Sequence, residues 1–347
     1  MRRLPVYFLI DVSESMVGEP IDQVQEGMGT VIRELKTDPV ALETVWISII
    51  GFAGKSKVIT PLQDVITFYP PKFPIGSGTS LSSGLTELMC AMDRELVTTT
   101  YQQKGDWKPI IFLFTDGVPT DDSVDAISKW QTKYSNKVNL IAISLSSNTN
   151  YELLGKLTPN VLHFQDTDAQ AYKEFFRWVT ASIKTTSEGV AHRTSDTLCL
   201  EKVNPDVMEK IDLGKSHQIV DENFVVLHAK CSTTEKSYLI KFKKEIEASG
   251  IMNLSTRIYQ AQGAYKIDDK AYSEYSNTLT QHLKISTQEL FGNPNCPCCV
   301  HQFSLASCAC GKIHCVKGVG ENACPWCGRV DFYGVSDGGF DITRTLG

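Results

Sequence analysis

Near the N-terminus the stretch FLIDVSESM carries Asp11, Ser13 and Ser15 two residues apart, directly after an apolar run. On a strand-to-helix turn, three such side chains converge and offer only oxygen to one point. Two later stretches supply matching chemistry. GSGTSL presents Thr79 after a Gly-Ser-Gly turn, and LFTDGVPTD presents Asp116 at the end of an apolar run. Hard cations such as Mg²⁺ or Mn²⁺ take oxygen ligands, about six of them, and keep several waters. The thiols and imidazoles that softer metals prefer are missing from these stretches. Taken alone, D-x-S-x-S is also a helix cap, because Asp and Ser favour that position. Thr79, Asp116 and the order of the surrounding elements favour the cation. Glu14 is expected to face solvent, Asp121 and Asp122 to cap the helix that follows them, and His163 to pack on a strand.

A second, softer chemistry lies at the other end. The chain has eleven cysteines, and eight fall between Cys296 and Cys327; only Cys90, Cys199 and Cys231 lie elsewhere. Clustered pairs at short spacing favour metal over a disulfide framework. Cys296-x-x-Cys299 and Cys324-x-x-Cys327 are thiolate pairs, the second read as C-P-W-C-G. Between them stand Cys308-x-Cys310 and His314-Cys315. With Zn²⁺ taking four such ligands in a tetrahedron, Cys296, Cys299, Cys308, Cys310, His314, Cys315, Cys324 and Cys327 suffice for one or two closed sites. Cys298 is a substitute ligand, and the spacing does not fix the pairing. A redox role for C-P-W-C would need a thioredoxin-type βαβ unit around it, and none is read there. A module of 55 residues has little core, so metal staples supply folding free energy.

The elements that position the oxygen set alternate strand and helix over residues 1–185. LPVYFLIDV, TVWISIIGFA, KPIIFLFTDG and VNLIAISL are apolar strands, with SKVIT as a hairpin edge strand and NVLHFQD as a short one. The stripe Ile21, Val24, Met28, Val31, Ile32, Leu35 marks an amphipathic helix, and Leu81, Leu85, Leu88, Met89, Met92 another. Further helices are read near Ser123 to Tyr134, over YELLGKL and over DAQAYKEFFRWVTASIK. This order predicts a doubly wound, mostly parallel sheet with helices on both faces, whose ligands bind at the carboxyl ends of the strands. Residues 186–200 read as a linker. Residues 201–347 form a C-terminal region, strand-rich over 201–290 and Cys/His zinc-binding over 291–347.

The 347 residues are 42% hydrophobic and 21% charged with a formal net charge of −6, an acidic balance that weighs against a nucleic-acid binder. No apolar run is long enough to span a bilayer. The N-terminal apolar stretch is too short for a signal peptide and ends in Asp11. With the cysteine pattern, these features predict a cytoplasmic protein.

Asp11, Ser13, Ser15, then Thr79, then the Asp116 of T-D-G resemble the metal-ion-dependent adhesion site of von Willebrand factor A domains, a likeness that covers residues 1 to about 185. It implies Mg²⁺ or Mn²⁺ held by the two serines directly, and by Thr79 and the two aspartates directly or through water. A coordination position is kept for an Asp or Glu from a protein partner. The A-like segment followed by a linker, a strand-rich segment and a Cys/His cluster is similar to the TerY-like proteins of bacterial tellurite-resistance and stress systems. That resemblance implies a non-enzymatic cytosolic scaffold with a protein kinase and a metal-dependent Ser/Thr phosphatase as partners. Two other functions are weighed. A zinc-tail nucleic-acid-binding regulator has only KIHCVKG, CGR and Trp326 to support it. An Asp11-dependent phosphohydrolase would need a second Asp where Ser13 stands. No G-x-S-x-G, G-x-x-x-x-G-K or H-E-x-x-H is present.

Overall fold

The structure is a computed structural model describing residues 2–116, 119–145, 150–164, 169–191, 200, 208–211, 224–245, 258–276, 284–334 and 339–345. Contacts divide the chain into two compact units: residues 1–12, 19–73 and 79–220 form the first, and residues 13–18, 74–78 and 221–347 the second.

The first unit alternates as expected. Its elements are β1 (Leu4–Asp11), α1 (Glu19–Leu35), α2 (Pro39–Thr44), β2 (Val45–Phe52), β3 (Ser56–Asp64), α3 (Leu81–Glu95), β4 (Ile110–Thr115), α4 (Val124–Lys133), β5 (Asn139–Ser144), α5 (Tyr151–Leu157), β6 (Val161–Phe164), α6 (Ala169–Ala191) and β7 (Met208–Lys210). The strands lie in the order β3-β2-β1-β4-β5-β6-β7. Pairing is parallel from β2 to β6 and antiparallel at the two edges. Every residue of β1 and β4 is buried, which is why these strands read as unbroken apolar runs. One face carries α3, α4 and α5, with Leu85, Leu88 and Trp130 in its core. On the other, Phe112 and Phe114 meet Trp178, Phe175 and Phe176 of α6 at ring-centroid distances of 5.6–6.5 Å.

The boundary expected at residue 186 is corrected. Helix α6 runs on to Ala191, and β7 pairs with β6, so the first unit continues beyond the expected linker. The small polar residues after Lys184 do not stop a helix whose buried face is anchored by Ile183, Thr186 and Ser187. The rest of the linker, 192–199, lies outside the described residues.

The second unit holds β8 (Phe224–Lys230), β9 (Ser237–Glu245), β10 (Ile258–Lys266), α7 (Asp269–Tyr275), β11 (Lys284–Ser286), β12 (Leu290–Phe291), β13 (Phe303–Ser307), β14 (Ile313–Val316), β15 (Gly320–Ala323), β16 (Val330–Tyr333) and β17 (Asp341–Thr343). Six strands form a sheet in the order β12-β10-β9-β8-β14-β13, and β11-β17 and β15-β16 are two-stranded pairs. The core around Val225, Leu227, Tyr238, Ile240 and Phe242 also contains Cys231, Cys296 and Cys315. Cysteine sulfur is therefore part of the hydrophobic interior of this unit.

Candidate metal centres

In the first unit, β1 and β4 are parallel neighbours with Ile10 opposite Phe114, so Asp11 comes to lie beside Thr115. The Thr115 hydroxyl donates to Asp11 Oδ2 at 2.8 Å, and both residues are buried. Asp116 follows immediately and is 8% exposed. Burial pushes the nearby Tyr172 phenol up, and the negative charge of Asp116 adds to it. Thr79 stands one residue after Gly78, which takes φ +82° and so a conformation that favours glycine. The backbone of Thr79 is tied three times to Thr120: its N–H donates to Thr120 Oγ1 at 3.0 Å, and its carbonyl accepts from the Thr120 N–H at 2.8 Å and from the Thr120 hydroxyl at 3.2 Å. None of these bonds uses the Thr79 hydroxyl. Asp121 departs from expectation. Its carboxylate accepts from the Ser80 hydroxyl and from the N–H groups of Leu81 and Ser82, so it caps α3, the helix that follows Thr79. Asp122 does behave as expected, accepting from Val124 N–H at the start of α4. His163 packs against Tyr151, whose hydroxyl lies 2.9 Å from Nδ1.

Ser13 and Ser15 follow Asp11 by two and four residues and sit in the 13–18 segment of the second unit. Their hydroxyls are 2.9 Å apart and buried. Ser13 precedes a single 3₁₀ turn, Glu14–Met16, yet makes no side-chain cap bond to it, so capping does not account for the serine. Glu14 corrects the sequence expectation: it is fully buried, and its carboxylate accepts from the Tyr272 hydroxyl. The five expected residues thus supply two carboxylates and three hydroxyls with no sulfur or imidazole among them, a donor set that fits a hard divalent ion.

The second unit gathers thiols into two groups of four, Cys231, Cys296, Cys299 and Cys315 in one and Cys308, Cys310, Cys324 and Cys327 in the other, with all sulfurs of a group within 4.8 Å of one another. Sulfurs bound at about 2.3 Å around a tetrahedral zinc stand about 3.8 Å apart. The observed separations are 3.6 Å for Cys299–Cys315, 3.9 Å for Cys231–Cys315, 3.7 Å for Cys308–Cys327 and 3.9 Å for Cys310–Cys324. A disulfide would require about 2.05 Å. Four cysteines open similar tight turns, the one at Cys308 being a residue shorter than the other three. Each carbonyl of Cys231, Cys296, Cys308 and Cys324 accepts from the N–H of a residue with positive φ: Glu235, Val300, Gly311 and Gly328. Backbone amides are thereby aimed at sulfur, as in the Ser232 N–H to Cys315 and Thr234 N–H to Cys231 contacts, both 3.3 Å. Burial works against ionisation of Cys231, but donors from Thr234 and Thr233 outweigh it and bring this thiol down to about 6. Burial raises Cys315 to about 11 and Cys324 to about 12, so loading the sites must displace protons.

Two of the expected zinc ligands stand elsewhere. His314 is adjacent to Cys315 on β14, and neighbouring residues of a strand point to opposite faces. With Cys315 in the first thiol group, the His314 ring lies edge-on to Tyr333 at 4.8 Å, and its Nδ1 is 3.0 Å from the Cys315 carbonyl. Cys298 lies between Cys296 and Cys299 but belongs to neither group. Cys231 was missed because it stands alone in sequence. The only local signal is CSTTEK, which folds into the turn that the paired cysteines also use.

Residues 6–178 match the von Willebrand factor type A domain, and residues 221–347 match the TerY-C metal binding domain. No curated protein matches this chain. Similar solved structures include the PilB minor pilin from Streptococcus sanguinis, at 14% identity, covering 56% of this chain and 63% of that one, with a TM-score of 0.41. Proximal thread matrix protein 1 from the mussel byssus is 12% identical over 53% of this chain and 48% of its own, TM-score 0.39. A von Willebrand factor type A from Catenulispora acidiphila is 15% identical over 52% and 42%, TM-score 0.40. This chain spans less than two thirds of each.

Proposed function

The chain joins a von Willebrand factor type A domain to a TerY-C metal-binding domain, and from that premise we propose that it is a non-enzymatic, cation-dependent protein-binding scaffold. The observation that carries this reading is the convergence of Asp11 and Asp116 at neighbouring strand ends, with Thr79 pinned by Thr120 in the same unit and Ser13 and Ser15 held to Asp11 by the chain. Asp11, Ser13, Ser15, Thr79 and Asp116 would hold Mg²⁺ or Mn²⁺. The bound ion would supply an electrophilic position for an Asp or Glu of a protein partner, a bond that strengthens where the interface excludes water. With three of five ligands neutral, the residues leave much of the ion's charge for that carboxylate.

The two thiolate sets would hold one zinc each as structural centres, because four sulfurs close the coordination shell and leave no open position for catalysis. A cytoplasmic setting, a role in tellurite-resistance or stress signalling, and a protein kinase and a metal-dependent Ser/Thr phosphatase as partners extend the reading through the likeness to TerY-type proteins. Among the described residues no helix is long and apolar enough to cross a membrane.

Immobilised wild type in Mg²⁺ is expected to retain a partner that Asp116→Ala and Thr79→Ala do not, with circular dichroism unchanged. Equal retention by all three refutes the site. Turnover of a phosphate ester that disappears in Asp11→Asn would replace binding with hydrolysis.

A further inference from the structure

Within the second unit, the segment carrying Ser13 and Ser15 is gripped by side chains more than two hundred residues away in the chain. The Tyr272 hydroxyl on α7 donates to the Glu14 carboxylate. The Lys241 ammonium on β9, 5% exposed, donates to the carbonyls of Ser15 and Val17. Val17 is buried against Val226 and Leu239, with Tyr265, Ile267 and Tyr272 around them. Gly18 has φ +86°, and a Cβ there would stand 2.7 Å from the Tyr265 ring, so this position accepts no larger residue without displacement. The neighbouring 74–78 segment, which leads into Thr79, is held in the same way: Ser77 N–H donates to Ser276 Oγ at 2.9 Å, and Ser276 in turn donates to the Tyr272 carbonyl.

Glu14 is the residue between the two serines, so a bond that fixes its carboxylate also restrains the stretch of backbone that carries both hydroxyls. A buried carboxylate also cannot give up a donor cheaply. Tyr272 is itself fixed from behind. Its ring lies 4.9 Å from His228, and His228 meets Trp326 edge-on at 5.5 Å. Trp326 sits inside the Cys324-Pro-Trp-Cys327 turn, where its Nε1 donates to the Ile313 carbonyl at 2.7 Å. An unbroken line of packed rings therefore leads from a thiol turn to the serine segment.

We infer that Tyr272 and Lys241 are positioning residues of the oxygen site: they set the pose of the Ser13–Ser15 segment and, through it, the affinity for a divalent ion. The inference rests on the cation site proposed above. Neither residue ligates the ion. Each acts through the backbone or carboxylate of the loop that does.

Mn²⁺ titration of the full-length, zinc-loaded protein, read by the electron paramagnetic resonance signal of free Mn²⁺, tests it. Tyr272→Phe keeps the ring and removes one donor to a charged group, so Mn²⁺ affinity is expected to fall about tenfold with zinc content unchanged. Because Tyr272 acts through Glu14, the Tyr272→Phe/Glu14→Gln double variant is expected to bind no more weakly than the weaker single variant; additive losses would show that Tyr272 does not act through Glu14 and would overturn the inference. Should Tyr272→Phe shed zinc, Ser276→Ala is judged by the same measure. Wild-type affinity in the positioning variants, alongside loss of binding in Asp116→Ala, overturns the inference and leaves the site standing. No Mn²⁺ uptake by the wild type overturns both.

Discussion

Replacing Cys231 with serine separates the ligand set seen in the structure from the one that sequence spacing suggests. Cys231 is fully buried, with its sulfur 3.9 Å from that of Cys315, whereas His314, the spacing-based alternative, faces Tyr333. Serine nearly preserves the volume but offers a neutral hydroxyl in place of a thiolate. A structural zinc contributes about 10–16 kcal/mol in small thiolate-rich peptides, so one ligand of four is worth on the order of 3–4 kcal/mol. That corresponds to about two to three decades of affinity. The Cys308, Cys310, Cys324, Cys327 set shares no ligand with it, so the loss should stop at one metal. Zinc analysis after dialysis against a moderate chelator is expected to fall from two ions per chain to one in Cys231→Ser and to stay at two in His314→Gln. Two ions retained in Cys231→Ser, with one lost in His314→Gln, would refute the reasoning and restore the histidine as ligand.

His228 is half-buried, and the desolvation of its ring, reinforced by the positive charge of Lys312, lowers it from 6.5 to about 4. Below pH 6.5 the unfolded chain takes up a proton that the folded one refuses, so stability falls as pH drops from about 6.5 towards 4, by about 2 kcal/mol at pH 5. Urea unfolding at pH 7.5 and pH 5 should show a smaller acid loss in His228→Phe; equal losses would contradict the assignment, since acid release of zinc affects both proteins. Asp121→Ala removes the carboxylate that serves three donors at the start of α3, and a loss of about 1–2 kcal/mol is expected in chemical denaturation. Asp122→Ala, with one N–H to lose, should cost less; the reverse order would restore the sequence expectation.

What the sequence made legible follows from the range of the forces involved. The apolar stripes of α1 and α3 and the unbroken runs of β1 and β4 are local patterns, and their inward residues are buried as expected. Helix α2 has six residues, too few to display a helical period, and β7 has three, which acquire strand character only by pairing with β6. Glu14 looked like a surface acid because its phenol donor lies 258 residues away. His314 and Cys315 looked equivalent as ligands because spacing records proximity along the chain, whereas a strand sends neighbours to opposite faces. The turn at Cys231 has no second cysteine, and the thiols that complete its set arrive from elsewhere in the fold.

The two donor sets also constrain each other. By the general affinity order of divalent metals, zinc outcompetes Mg²⁺ and Mn²⁺ at almost any oxygen site, so Asp11, Ser13, Ser15, Thr79 and Asp116 cannot exclude it by their chemistry alone. The four-thiolate sets in the same chain would hold zinc far more tightly, but once filled they would protect the oxygen set from nothing further. Selectivity must then come from metal availability. A strong chelator would strip both kinds of site, and because the thiol sets lie in the core of the second unit, it would also remove folding free energy from the unit that holds Ser13 and Ser15. Chelation would therefore abolish partner capture even if the oxygen site were inert. Asp116→Ala discriminates where chelation does not: it removes an oxygen ligand in the first unit and leaves every thiol in place, so lost capture with two zinc ions retained isolates the hard-cation site as the cause.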